Sequence, residues 1–110
     1  EVLAGVPDFS GPPEVQGECK NNTVKNNDCS RHPIGIALFL TANDNTIGPN
    51  ITTNDNFFYG VYLYSGASDN HVFNNTALNN GVCDIMVEDF ILPCLNNTFN
   101  NNTYDCFQEL

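Results

Sequence analysis

Hydrophobic and polar positions in this chain alternate in short bursts separated by Asn-rich stretches. Three bursts open on glycine: Gly35-Ile36-Ala37-Leu38-Phe39-Leu40, Gly60-Val61-Tyr62-Leu63-Tyr64 and Gly81-Val82-Cys83-Asp84-Ile85-Met86-Val87. A period of two over so few residues predicts half-buried β-strands. The phase puts Ile36, Leu38, Leu40, Val61 and Leu63 inward. It puts Ala37, Phe39, Tyr62 and Tyr64 outward. Carried on from Val82, the same phase points Asp84 into the core. A buried unpaired carboxylate is costly, so a bulge is expected to turn Asp84 out and bring Ile85 or Met86 in.

A second motif follows each burst. It reads Asn45-Thr46-Ile47-Gly48-Pro49-Asn50, then Asn70-His71-Val72-Phe73-Asn74-Asn75, then Asn96-Asn97-Thr98-Phe99-Asn100-Asn101. A degenerate earlier copy is Asn22-Thr23-Val24-Lys25-Asn26-Asn27. Two motifs recurring in one order every two dozen residues or so, as the residue numbers give, predict a solenoid of about three to four coils. One repeat cannot bury its apolar face, whereas stacked repeats can. Asn and Gly suit the turns because they tolerate left-handed backbone. Asn side chains stacked coil upon coil are expected to hydrogen-bond along the column.

The pattern G-[IV]-x-[LY]-x…N-x-[IVF]-x-x-N…N resembles the right-handed parallel β-helix repeat family, which includes pectate-lyase-like folds and NosD-like repeats. The resemblance covers roughly residues 21–107 and implies an all-β, short right-handed parallel β-helix. It implies no single activity, because that superfamily hosts lyases, hydrolases, epimerases, adhesins and structural proteins. Residues 1–18, with Pro7, Pro12 and Pro13, are expected to form an extended N-terminal arm, and residues 19–110 the β-helix domain. A partly apolar insert near 88–95 lengthens the last coil.

Composition narrows the function classes. Asparagine occurs 19 times, and the net charge is −10. Lys20, Lys25 and Arg31 are the only cations. Three cations build no phosphate-tracking surface, so nucleic acid is not an expected partner, and neither is an anionic membrane surface. No apolar run is long enough to insert into a membrane. The chain opens at Glu1 without Met or an apolar leader, as expected of a processed mature chain or a fragment.

Five cysteines, Cys19, Cys29, Cys83, Cys94 and Cys106, contain no C-x-x-C pair, so disulfides are expected and no metal site. Cys83 and Cys106 lie about one coil apart and are candidates for a bridge. Cys19 and Cys29 would close a loop in the first coil, leaving Cys94 free or intermolecular. Cys19–Cys94 is the alternative pairing. N-glycosylation sequons stand at Asn21, Asn50, Asn74, Asn96 and Asn101. Cysteines and sequons together predict a secreted or cell-surface glycoprotein.

Candidate chemistry is thin. The best acid cluster is Asp84, Glu88 and Asp89, with Asp69 one coil earlier, and solvated turn acids are the expected reading. His32 and His71 lack partners in sequence and are expected as exposed turn residues. No catalytic residue, metal or cofactor is therefore assigned. Phe39, Tyr62 and Tyr64 are expected on one face, as a sugar or partner surface or as a site of internal packing. A regular Thr array for ice binding is not apparent among Thr46, Thr52, Thr53, Thr76 and Thr98. The expected function is a non-catalytic secreted structural or surface protein that self-associates end to end, in the extreme as a filament. The alternative is a module binding neutral carbohydrate, or a fragment of a carbohydrate-active β-helix enzyme.

Overall fold

A computed structural model of the chain describes residues 2–4 and 19–110. These residues form an all-β parallel solenoid of about four turns, with no helix among them. Each coil has one long side and three short ones. The long side is a five-stranded parallel sheet, in the order β1 (Val2–Ala4), β4 (Ile34–Phe39), β7 (Tyr59–Tyr64), β10 (Cys83–Glu88) and β13 (Phe107–Glu109). The second side pairs β2 (Cys19–Lys20) with β5 (Ala42–Asn43) and continues through a bridge from Asn43 to Ser68. The third stacks β3 (Thr23–Val24), β6 (Thr46–Ile47), β8 (His71–Phe73) and β11 (Thr98–Asn100). The fourth runs through the bridges Asp28–Thr52–Thr76 to the pair β9 (Thr76–Ala77) and β12 (Thr103–Tyr104). Part of the expected arm thus forms a strand beside β4, and the rest of residues 5–18 lies outside the described residues.

The corners explain the asparagine content. One residue at each corner takes a left-handed backbone: Asn21, Asp44, Asp69 and Asn96 between the second and third sides, and Asn26, Asn50, Asn74 and Asn101 between the third and fourth. Arg31, Asp55 and Asn79 do the same before the long sheet. Asn and Asp bear this conformation better than other side-chain-bearing residues. The next residue in the chain turns inward at the first of these corners and builds a ladder. Asn22 donates from its backbone N–H to Oδ1 of Asn45 (3.1 Å), Asn45 to Oδ1 of Asn70 (2.9 Å), and Asn70 to Oδ1 of Asn97 (2.9 Å). Each Nδ2 adds a rung, and those of Asn45, Asn70 and Asn97 also reach back to a carbonyl of the previous coil, of Cys19, Ala42 and Ala67. A second ladder joins Ile51, Asn75 and Asn102, and a third joins His32, Asn56 and Asn80. The expected stacking of Asn is present, with Asn97 rather than Asn96 as the fourth rung of the first ladder. Asn96 takes the left-handed corner instead.

The core is a narrow aliphatic column: Ile36, Leu38, Ile47, Ile51, Val61, Leu63, Val72, Ile85 and Val87, all buried. The inward phase holds for Ile36, Leu38, Val61 and Leu63. Leu40 departs from it, because it occupies a left-handed corner (φ 49°). The third burst is also in a different register from its glycine alignment. Cys83 pairs with Tyr59 and Ile85 with Val61, so Asp84, not Gly81, stands beside Gly60. Val82 is therefore exposed.

The expected bulge at Asp84 is corrected on the same grounds. Alternation does break at this point, since Cys83 and Met86 join the outer cluster while Ile85 and Val87 join the core. The same break recurs in β7, where Tyr59 and Tyr62 both lie in the outer cluster, so the two strands stay in register without an extra residue. Asp84 remains buried, because four donors satisfy it. Its Oδ1 accepts from the backbone N–H and Nδ2 of Asn80 (3.1 and 2.8 Å). Its Oδ2 accepts from the amides of Asp105 and Cys106 (both 3.0 Å). At the equivalent Gly60 a Cβ would lie 2.8 Å from the Asn80 amide nitrogen, the Asp84 carbonyl and the Thr53 hydroxyl, so that coil admits only glycine.

Asn70 tests the ladder directly. Asn70→Ala strips partners from the Asn45 amides and the Ala42 carbonyl inside the coil. The expected loss is about 3 kcal/mol, from buried polar groups left unpaired. Urea unfolding checks it, against Asn100→Ala on the exposed side, expected within about 0.5 kcal/mol of the parent.

Candidate functional site

The outer face of the long sheet gathers the aromatic residues. Phe39 meets Tyr62 and Tyr64 edge-on, with centroids 5.7 and 5.6 Å apart. Tyr59 stacks on Tyr62 at 4.5 Å, and Phe90 from the insert stacks on Tyr64 at 5.8 Å. The three residues read from the sequence are thus together, but they do not form an open platform. Tyr62 is only 9% exposed. Its hydroxyl donates to Glu88, and burial first, then that bond, raises its pKa. Burial likewise raises Tyr59. A buried, bonded phenol is a packing element before it is a sugar contact.

The acids do not converge. Asp84 serves the corner before β13. Burial alone would raise its carboxyl, but the donors from Asn80, Asp105 and Cys106 outweigh it and hold the pKa below the ordinary carboxylate value. Glu88 accepts from Tyr62, Asp89 accepts from the Cys94 amide (2.9 Å), and Asp69 stands at an exposed corner. Among the described residues no three His, Cys, Asp or Glu groups are placed to hold a metal. His71 stacks on Phe73, and His32 donates its backbone N–H to Asn56.

A groove of about 450 Å³ lies where the fourth side turns into the long sheet. Arg31, His32, Pro33, Asp55, Phe57 and Phe58 line it. Phe57 is 72% exposed and meets Phe58 edge-on at 4.7 Å. Sequence reading missed this pair. The available signal was two adjacent aromatic residues ahead of a strand, which cannot both face the core of an alternating segment.

The cysteines form one bridge. Cys83 and Cys106 are joined across successive rungs on the outer face, with Cα atoms 5.1 Å apart. Cys19, Cys29 and Cys94 are free, so neither Cys19–Cys29 nor Cys19–Cys94 is formed within the chain. The Cys29 side chain packs into the central core, which takes it away from a loop-closing partner.

The sequon residues Asn21, Asn50, Asn74, Asn96 and Asn101 are all exposed and all sit at left-handed corners. The motif has a structural origin. The first Asn makes the corner, the next residue builds the ladder, and the Thr that follows opens or flanks a short strand. The threonines recur by coil more than the sequence suggested, though still without a regular flat array. Thr52, Thr76 and Thr103 form one file, and Thr23, Thr46 and Thr98 form another that His71 interrupts. The two files lie on different sides of the solenoid, so they make no flat double row.

No protein-family model, curated protein or solved structure matches the chain.

The lowered pKa of Asp84 sets an acid dependence. Its stabilisation is present above the unfolded-state carboxylate pKa and is lost as pH falls through the folded value. Asp84→Asn turns one acceptor into a donor facing other donors. The expected cost is about 1–3 kcal/mol at neutral pH, with a flatter pH–stability profile in acid, measured by denaturant midpoints from pH 7 downward.

Proposed function

We propose that this protein is a non-catalytic, secreted or cell-surface β-solenoid that self-associates end to end as a structural element, in the extreme as a filament. The polarity of the Asn ladders carries the reading. In the three Asn ladders the backbone N–H of each rung donates toward the next coil, whereas the files Ser30–Asn54–Leu78 and Asn43–Ser68–Leu95 donate toward the previous one. Among the described residues, Oδ1 of Asn22 therefore accepts nothing at the first coil. At the last coil the backbone N–H groups of Asn97 and Asn102 make no such donation, while their Nδ2 groups bond backward to Ala67 and Val72. In the first ladder the described residues thus leave an acceptor at one end and a donor at the other, which is the complementarity of a head-to-tail contact. The apolar column is open at the same place. Phe99 and Phe107 are only partly buried, and Tyr104, in register with the buried Ala77, is 43% exposed.

The scattered acids, of which Asp84 is fully engaged and Glu88 and Asp89 each hold one hydrogen bond, support the non-catalytic reading. The Cys83–Cys106 bridge supports an oxidising compartment. The five corner Asn residues are sterically open to glycans, but their sequons follow from corner geometry and are weak support for modification. We place the chain with right-handed parallel β-helix repeat proteins on its G-…N pattern, for fold only.

The groove beside Phe57 and Phe58 favours carbohydrate binding as the second reading. Exposed aromatic faces beside Arg31, Asp55 and His32 combine a stacking surface with polar partners, as small-ligand sites do. A glycan array with Phe57→Ala and Tyr62→Ala separates the surfaces. Loss only with Phe57→Ala assigns the groove, and a parent that binds no glycan removes this reading.

Sedimentation velocity over a hundredfold concentration range tests self-association. The parent is expected to form larger species as concentration rises. Tyr104→Glu, which places a charge on the open end, is expected to remain monomeric with an unchanged circular dichroism spectrum. A parent that stays monomeric throughout would sink the proposal.

A further inference from the structure

We propose that Cys94 of one copy and Cys19 of the next meet across this end-to-end joint and close as an intermolecular disulfide. The inference rests on the self-association reading and adds its covalent chemistry.

Three residues before each member of the first Asn ladder stands a small residue: Cys19 before Asn22, Ala42 before Asn45, Ala67 before Asn70 and Cys94 before Asn97. The register makes them a column. Cys19 pairs with Ala42, and the bridge from Asn43 to Ser68 aligns Ala42 with Ala67. The Asp69 amide donates to the Leu95 carbonyl, and Cys94 packs on the central core as Ala42 and Ala67 do. Alanine fills the inner rungs, and cysteine stands on both terminal rungs. Both thiols are free and only partly buried. Cys94 lines a cavity of about 240 Å³ at the last coil, with Val87, Asp89, Asn97, Phe99 and Glu109. A copy stacked on that end sets its Cys19 one rung away, about 4.8 Å along the axis. That spacing is within disulfide reach, and Cys83–Cys106 already bridges successive rungs in this fold.

The joint has one structural requirement. The long sheet has five rungs, while the other sides have four. Bringing Cys94 beneath Cys19 therefore sets β13 on the edge of β4 that β1 holds within one chain. β1 pairs with β4 over Val2 to Ala4 alone. The chain from Ala4 to Cys19 is far longer than the Leu40–Thr41 link that makes the same connection one coil later, so β1 can leave its place without unwinding the coil that follows. Glu109, in register with Val87, would then face Leu38 of the next copy inside the core column. A carboxylate there weakens the joint, and the disulfide holds the joint against that cost.

The chemistry balances as thiol–disulfide exchange. Two thiols join as one S–S bond, and two protons and two electrons pass to an oxidised small-molecule disulfide, which leaves as two thiols.

The test treats the full chain with oxidised glutathione and reads it by non-reducing electrophoresis and peptide mass spectrometry. The expected result is a ladder of covalent oligomers that collapses under reductant and yields a peptide linking Cys94 to Cys19. Cys94→Ala and Cys19→Ala are each expected to lower the oligomer fraction more than tenfold. Glu109→Leu is expected to raise it several-fold. Products that stop at a dimer linked Cys94–Cys94 or Cys19–Cys19, or a ladder that survives Cys94→Ala, would overturn the inference. Oligomers that sediment in reductant but never give the Cys94–Cys19 peptide overturn the disulfide and leave self-association standing. Monomers in both conditions overturn both.

Discussion

Hydrogen-bond closure at the corners is the constraint on which this fold depends. A solenoid side of two or three residues must turn and start again, and each turn points backbone amides toward an interior without water. The Asn that follows the left-handed corner meets that demand. Its Oδ1 takes the amides of the rung before it, and its Nδ2 reaches back to a carbonyl two residues beyond the ordinary ladder's reach. No apolar residue can do this, and a carboxylate can do only the accepting half.

Asp84 illustrates the second case. It ends the third ladder, where the chain skips a full corner and passes directly from β12 to β13. Four donors converge there and no acceptor is needed, so the acceptor-only group fits where Asn would not. The neighbouring Cys83–Cys106 bridge ties the shortened turn to β10. The group with the most suggestive chemistry in the sequence is therefore fully engaged in structure, and Tyr62 and Glu88 are hydrogen-bonded to each other. A narrow solenoid core leaves little room for a recessed catalytic site, and the open chemistry is displaced to the ends and to the groove beside Phe57.

The ends and the ladders are two aspects of one property. Because each ladder keeps its own polarity from coil to coil, the stack has no internal signal to stop. What interrupts it here is particular: a fifth strand on one side only, an acid at Glu109 in the core column, and β1 on the edge of β4. These features make the terminal rungs a step instead of a flat face. They also set the terms on which a second copy could dock.

Much of this was legible in the sequence. Periodic apolar bursts, recurring Asn motifs and left-handed turn residues each reflect contacts that every coil repeats, so each repeat reports the same constraint. The inward set Ile36, Leu38, Val61 and Leu63, the shared face of Phe39, Tyr62 and Tyr64, and the reach from Cys83 to Cys106 followed from period alone. The register of the third burst did not. Gly81 resembles Gly35 and Gly60 locally, but pairing across coils is set by the summed ladder and core contacts, which place Asp84 there. The state of Cys19, Cys29 and Cys94, the groove at Phe57 and Phe58, and the surplus rung of the long sheet likewise depend on which coil lies above which. The sequence by itself determined a parallel stack of short strands with Asn at its turns, because those choices are local and repeated. Tertiary structure alone decided the register, the engaged acids and the stepped ends, because these arise once, between residues far apart in the chain.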